Sequence, residues 1–97
     1  MPKAYWVTVY RSISDPKKVE AYARLAPAAT TPFGAKYIAR GAAIEAFEAG
    51  QKERTVISEF PSVEKAIAAY ECPAYQEALK ALGNGAVRDI RIVEGLD

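Results

Sequence analysis

The chain has 97 residues, with 13 Lys and Arg set against 12 Asp and Glu for a net charge of +1. That length suits one domain over residues 1–97 and leaves no room for a second. Charges of both signs are interspersed along the chain, which argues against nucleic acid or an anionic membrane as the main partner.

The first predicted element is a strand over Ala4 to Tyr10, dense in β-branched and aromatic residues and free of Gly and Pro. It places Tyr5, Val7 and Val9 on one face and Trp6, Thr8 and Tyr10 on the other. Ser14-Asp15-Pro16 then announces a helix, with Asp15 as cap and Pro16 in the first turn, where its missing N–H costs nothing. Val19, Tyr22, Ala23 and Ala26 fall at the spacing of one helical face. Pro27 is expected to bend this helix and Pro32-Phe33-Gly34 to end it.

Ala35 to Phe47 reads as a long strand, with Gly41 at the position of a bulge. A polar turn over Glu48 to Glu53 leads into a third strand, Arg54 to Phe60. Pro61-Ser62 closes that strand and offers Ser62 as the cap of a second helix whose inner face carries Ala66, Ile67 and Tyr70. Cys72-Pro73 breaks and restarts the helix. Tyr75, Ala78, Leu79 and Leu82 continue the periodicity until Gly83 stops it. Val87 to Glu94 is the last strand.

The order strand, helix, two strands, helix, strand is the βαββαβ arrangement of a ferredoxin-like α+β fold, with both helical segments on one face of a four-stranded antiparallel sheet. Both sheet faces carry large apolar residues. The simplest cover for the second face is another copy of the sheet, giving a homodimer in the form of a dimeric α/β barrel with a pocket between the sheets. Nineteen of the apolar residues are Ala, so large side chains for a core are few and a partner surface would help.

Other features narrow the chemistry. The chain contains no His, the commonest general base near neutral pH and the commonest metal ligand. Its one cysteine, Cys72, cannot form an intrachain disulfide and fits a reducing, cytoplasmic setting. The amino end lacks the pattern of a secretory signal, because Met1-Pro2-Lys3 runs directly into the first strand, and no apolar run reaches the ~20 residues of a membrane span. A soluble, unprocessed protein is expected. Isolated carboxylates such as Glu45, Glu48 and Glu94 show no ligand spacing, so no metal and no cofactor are expected. The third strand lacks the Gly and spaced aromatics of an RNA-recognition module.

Several sequence stretches together resemble the domain-of-unknown-function 1330 (DUF1330) family within the dimeric α/β-barrel superfamily. They are Tyr5-Trp6, Tyr37-Ile38-Ala39-Arg40-Gly41, Ile57-Ser58-Glu59-Phe60-Pro61-Ser62, Pro73-Ala74-Tyr75-Gln76 and Ile92-Val93-Glu94-Gly95. The resemblance covers almost the whole chain and implies a ferredoxin-like protomer, a dimer and no established activity. Known roles in the wider superfamily include cofactor-free monooxygenases, lactone isomerases and haem-handling enzymes, too varied to transfer a reaction. Two positions depart from the family pattern: Cys72, where members often carry Ser, and Gly83, where many carry Arg.

Six residues are candidates for a site. Arg40 and Glu59 lie in strands expected to be hairpin neighbours, where they could face each other inside the pocket. Arg40 would hold a ligand carboxylate and a shielded Glu59 would act as a base, and the alternative is a structural ion pair. Trp6, Tyr10 and Tyr37 could line the pocket and stack on a flat ligand, or serve as packing. Tyr75 could aim its hydroxyl inward, or belong to the core. Cys72 before Pro73 reads as a helix cap without reactivity, since it lacks a His partner. The function expected is binding of a small, partly apolar organic molecule, with cofactor-free oxygenase or isomerase turnover as the enzymatic version. The alternative is a non-catalytic binding or accessory protein.

Overall fold

A computed structural model describes residues 2–96. Met1, expected to lead straight into the first strand, and Asp97, the end of the expected domain, lie outside the described residues. Strand β1 (Ala4–Ile13) alternates buried and half-buried positions from Ala4 to Tyr10, as a strand covered on one face should. Helix α1 (Pro16–Thr30) starts where Asp15 Oδ1 accepts the amides of Lys17 and Lys18 at 3.1 and 3.4 Å. The helix continues through Pro27, and a 3₁₀ turn, Thr31–Phe33, follows it. Gly34 ends that turn at φ 89°, where a Cβ would also come within 2.7 Å of Pro61 Cγ, so only glycine fits.

Strand β2 (Lys36–Ala42) is shorter than the sequence suggests. It ends where its partner β3 (Arg54–Phe60) begins, at the pair Ala42–Arg54, and the chain from 43 to 53 is irregular, with Ile44 and Phe47 exposed. The bulge sits at Ile38 rather than Gly41: Tyr37 pairs with Ser58 and Ala39 with Ile57, leaving Ile38 as the extra residue.

Helix α2 (Val63–Glu71) is capped by Ser62, whose Oγ accepts the Lys65 amide. It buries Ala66 and Ala69, whereas Ile67 faces outward. Cys72 then ends α2 and caps helix α3 (Pro73–Leu82), its Sγ accepting the Tyr75 amide at 3.4 Å. Strand β4 is Ala86–Glu94.

The four strands form one antiparallel sheet in the order β2-β3-β1-β4, the ferredoxin-like arrangement. The helices cover one face. Ala4, Trp6, Thr8 and Tyr10 of β1, with Ser58 and Phe60 of β3, are buried beneath them. The centre of this layer is aromatic: Trp6 stacks on Phe60 at 5.7 Å between ring centroids, and Tyr75 meets the Trp6 ring edge-on at 5.1 Å. Tyr5, Val7 and Val9 lie half-buried on the opposite, uncovered face, where Val93 is exposed.

Candidate functional site

The cavity that gathers most of the candidate residues lies inside the protomer, between the helices and the covered face of the sheet. These residues face the helices of their own protomer, not the open face of the sheet. The cause is local. Helix α1 presents Ala23, Ala26 and Pro27 to the sheet here, and these short side chains leave a gap over β1 and β3. The empty space, open mouth included, is about 460 Å³.

Trp6, Tyr10, Tyr37, Arg40 and Tyr75 all line this cavity. The Ile38 bulge puts Tyr37 and Arg40 on the same face, since Tyr37 pairs with Ser58 and Arg40 with Val56, both on the helix side. Arg40 remains exposed at the mouth, its guanidinium 5.2 Å from the Tyr37 ring centroid.

Glu59 does not join them. It follows Ser58 and precedes Phe60, both buried under the helices, so strand alternation turns it to the uncovered face. There its carboxylate pairs with Lys3 Nζ at 3.2 Å. The expected Arg40–Glu59 pair therefore does not form, because the two residues belong to opposite faces. Arg40→Ala should cost less than about 1 kcal/mol in denaturant melts, the usual scale for exposed groups, and Glu59→Gln should add independently. Coupling of several kcal/mol between the two would contradict this placement.

Two residues that the sequence reading passed over dominate the interior. Arg88 on β4 is the register partner of Tyr10, and Arg54 lies on the other side of the same ring, on β3. Their guanidinium carbons are 5.5 and 5.9 Å from the Tyr10 centroid, and Arg88 also sits 4.5 Å from the Tyr22 centroid. Strand parity was the available signal. Arg54 shares its face with Val56, Ser58 and Phe60, and Arg88 shares its face with Ile90 and Ile92.

The polar groups of the cavity are mismatched. Arg54 Nε, Arg88 Nη1 and Trp6 Nε1 are buried with no hydrogen-bond partner among the described residues. No carboxylate, imidazole or thiol lines the cavity among the described residues. The Tyr22 and Tyr75 hydroxyls, by contrast, share one hydrogen bond at 2.6 Å. Burial pushes the Tyr22 hydroxyl up, against the pull of the neighbouring Arg88 charge. Burial also pushes the Tyr75 hydroxyl up, reinforced by Tyr22 beside it. Both are protonated donors at neutral pH. No cluster of His, Cys, Asp or Glu among the described residues is placed to hold a metal ion.

This geometry defines a ferredoxin-like α+β protein with an arginine- and tyrosine-lined cavity between sheet and helices. The profile of the family described as "domain of unknown function (DUF1330)" matches residues 3–96, and the chain belongs to that family. Among solved structures, it is similar to a protein of unknown function from Rhodopseudomonas palustris, at TM-score 0.76 and 18% identity, covering 99% of this chain and 84% of that one. It is also similar to a dimeric ferredoxin-like protein of unknown function from Thermobifida fusca, at TM-score 0.64 and 19% identity, over 96% and 91% of the two chains. SnoaB, a cofactor-independent oxygenase from Streptomyces nogalater, shares the fold at TM-score 0.65 and 10% identity, over 100% and 96%. No curated protein matches the sequence. Among the described residues, no helix is long and apolar enough to cross a membrane.

Proposed function

We propose that the cavity takes up a small, partly apolar organic molecule and that the chain works as a homodimer joined through the uncovered faces of its sheets. The observation that carries the first part is an open cavity with aromatic walls whose buried N–H donors lack partners. Such a combination is what small-molecule sites present: apolar surface for affinity and a few polar groups for orientation. The homodimer is supported by the uncovered Tyr5, Val7 and Val9, and by the dimeric Thermobifida relative.

One observation bears on whether the bound molecule is turned over. A cofactor-free oxygenase or isomerase route starts well from a base that removes a proton from the substrate. The cavity offers cations and protonated tyrosines, which stabilise a developing enolate, but no carboxylate or imidazole among the described residues. This favours the non-catalytic binding or accessory role over the enzymatic one.

Two measurements test these readings. Light scattering at micromolar concentration is expected to return twice the chain mass, and a stable monomer overturns the dimer. Mass spectrometry of the small molecules released on denaturing freshly purified protein is expected to find an organic compound near one per chain. Its absence, together with unchanged Trp6 fluorescence across a panel of small aromatic compounds, overturns the binding role.

A further inference from the structure

We propose that the inner end of the cavity is a seat for the carboxylate of a small organic acid, held by Arg54 and Arg88 with the body of the acid lying toward Tyr37 and Arg40. The inference rests on the binding role above and narrows its ligand class.

Two observations converge on it. The first is the donor and acceptor balance. The unpartnered buried atoms of the cavity, Arg54 Nε, Arg88 Nη1 and Trp6 Nε1, are all donors, so the missing partner must bring acceptors. The second is charge. Arg40, Arg54 and Arg88 all line the cavity, none of them forms an ion pair among the described residues, and no lining residue there is acidic. Arg54 and Arg88 are half-buried, where a guanidinium without an anion carries a desolvation cost, and a carboxylate answers their forked geometry.

The exposed Arg40 guanidinium stacks on Tyr37 at the edge of the same cavity, where the body of the acid would lie.

Arg54 and Arg88 are aimed by their strands. They flank Tyr10 from the two strands on either side of β1, their guanidinium groups over the Tyr10 ring and, for Arg88, the Tyr22 ring as well. Both cations are therefore positioned before an acid arrives, which reduces the ordering that binding must impose.

The test compares each acid with its neutral amide: benzoate with benzamide, and propionate with propionamide, on the intact protein. The chain has a single tryptophan, and because Trp6 lines the cavity its fluorescence reports occupancy. Thermal unfolding at fixed protein concentration gives a second readout. At least one acid is expected to bind ~10-fold or more tightly than its amide, the factor that one charge-assisted hydrogen bond supplies. Arg54→Met and Arg88→Met should each remove most of that preference, weakening the acid more than the amide. Arg88→Lys should restore it only in part, since an ammonium keeps the charge without the fork.

Amides that bind as well as the acids overturn the carboxylate seat and leave the binding role standing. Silence of acids and amides alike overturns both. An acid preference that survives the two Met substitutions places the anion elsewhere and also overturns the seat. If the Met variants fail to fold, the comparison of acid and amide on the unaltered protein still decides.

Discussion

Replacing Tyr75 by Ala should lower the unfolding free energy by about 3–5 kcal/mol, the range for truncating a large buried aromatic residue. Tyr75 is 1% exposed and holds together two structures. Its ring meets Trp6 and Tyr70 at 5.1 Å and Tyr22 at 5.9 Å. Its hydroxyl is the hydrogen-bond partner of Tyr22. The truncation opens a void beside Trp6 and strands the Tyr22 hydroxyl. A domain of this class has only about 5–15 kcal/mol in total, so the variant should be on the edge of folding. Tyr75→Phe separates the contributions. It keeps the ring and removes only the hydroxyl, so it should cost about 1–3 kcal/mol, the penalty for an unsatisfied partner. Urea melts at one protein concentration measure both, and equal losses for the two variants would place the energy in the hydrogen bond rather than in the ring packing.

The second large effect is expected at alkaline pH. Burial raises the Tyr22 and Tyr75 hydroxyls in the folded chain above the ordinary value of 10.0. Below about pH 10 both hydroxyls are protonated in folded and unfolded chains alike, and their contribution to stability is constant. Above it, the unfolded chain releases protons that the folded chain retains, so the unfolded state binds fewer protons and stability falls as pH rises. The slope should approach about 1.4 kcal/mol per pH unit for each hydroxyl. Denaturant melts between about pH 9 and 11 measure it. The double variant Tyr22→Phe, Tyr75→Phe should flatten most of this dependence. An unchanged slope in the double variant would assign the alkaline loss to other groups.

Much of the framework was legible in local chemistry. Asp15-Pro16, Ser62 and Cys72-Pro73 announce helix starts because a side-chain acceptor must satisfy amides that the helix leaves free, and each of these caps is present. Alternation in β1 correctly separated Trp6, Thr8 and Tyr10 from Tyr5, Val7 and Val9, because successive side chains of a strand must point to opposite faces. Of the periodic positions Tyr75, Ala78, Leu79 and Leu82 in α3, all but the half-buried Leu79 are buried. Periodicity was less informative for α2, where Ala69 rather than Ile67 is buried, since the helix is short and mostly Ala at its contact face.

What tertiary structure alone decided is which charges share a space. Strand parity applied without a bulge would put Tyr37 and Arg40 on opposite faces, and the extra residue at Ile38 brings them to the same one. Hairpin proximity suggested an Arg40–Glu59 pair, but register places Glu59 beside Lys3 on the other face. The meeting of Arg54 and Arg88 around Tyr10 depends on the strand order β2-β3-β1-β4, which joins residues 34 positions apart through a strand far from both in sequence. Local sequence determines the elements because caps and periodicity act over a few residues, whereas the cavity is made by pairing between distant strands, and only the folded sheet sets that register.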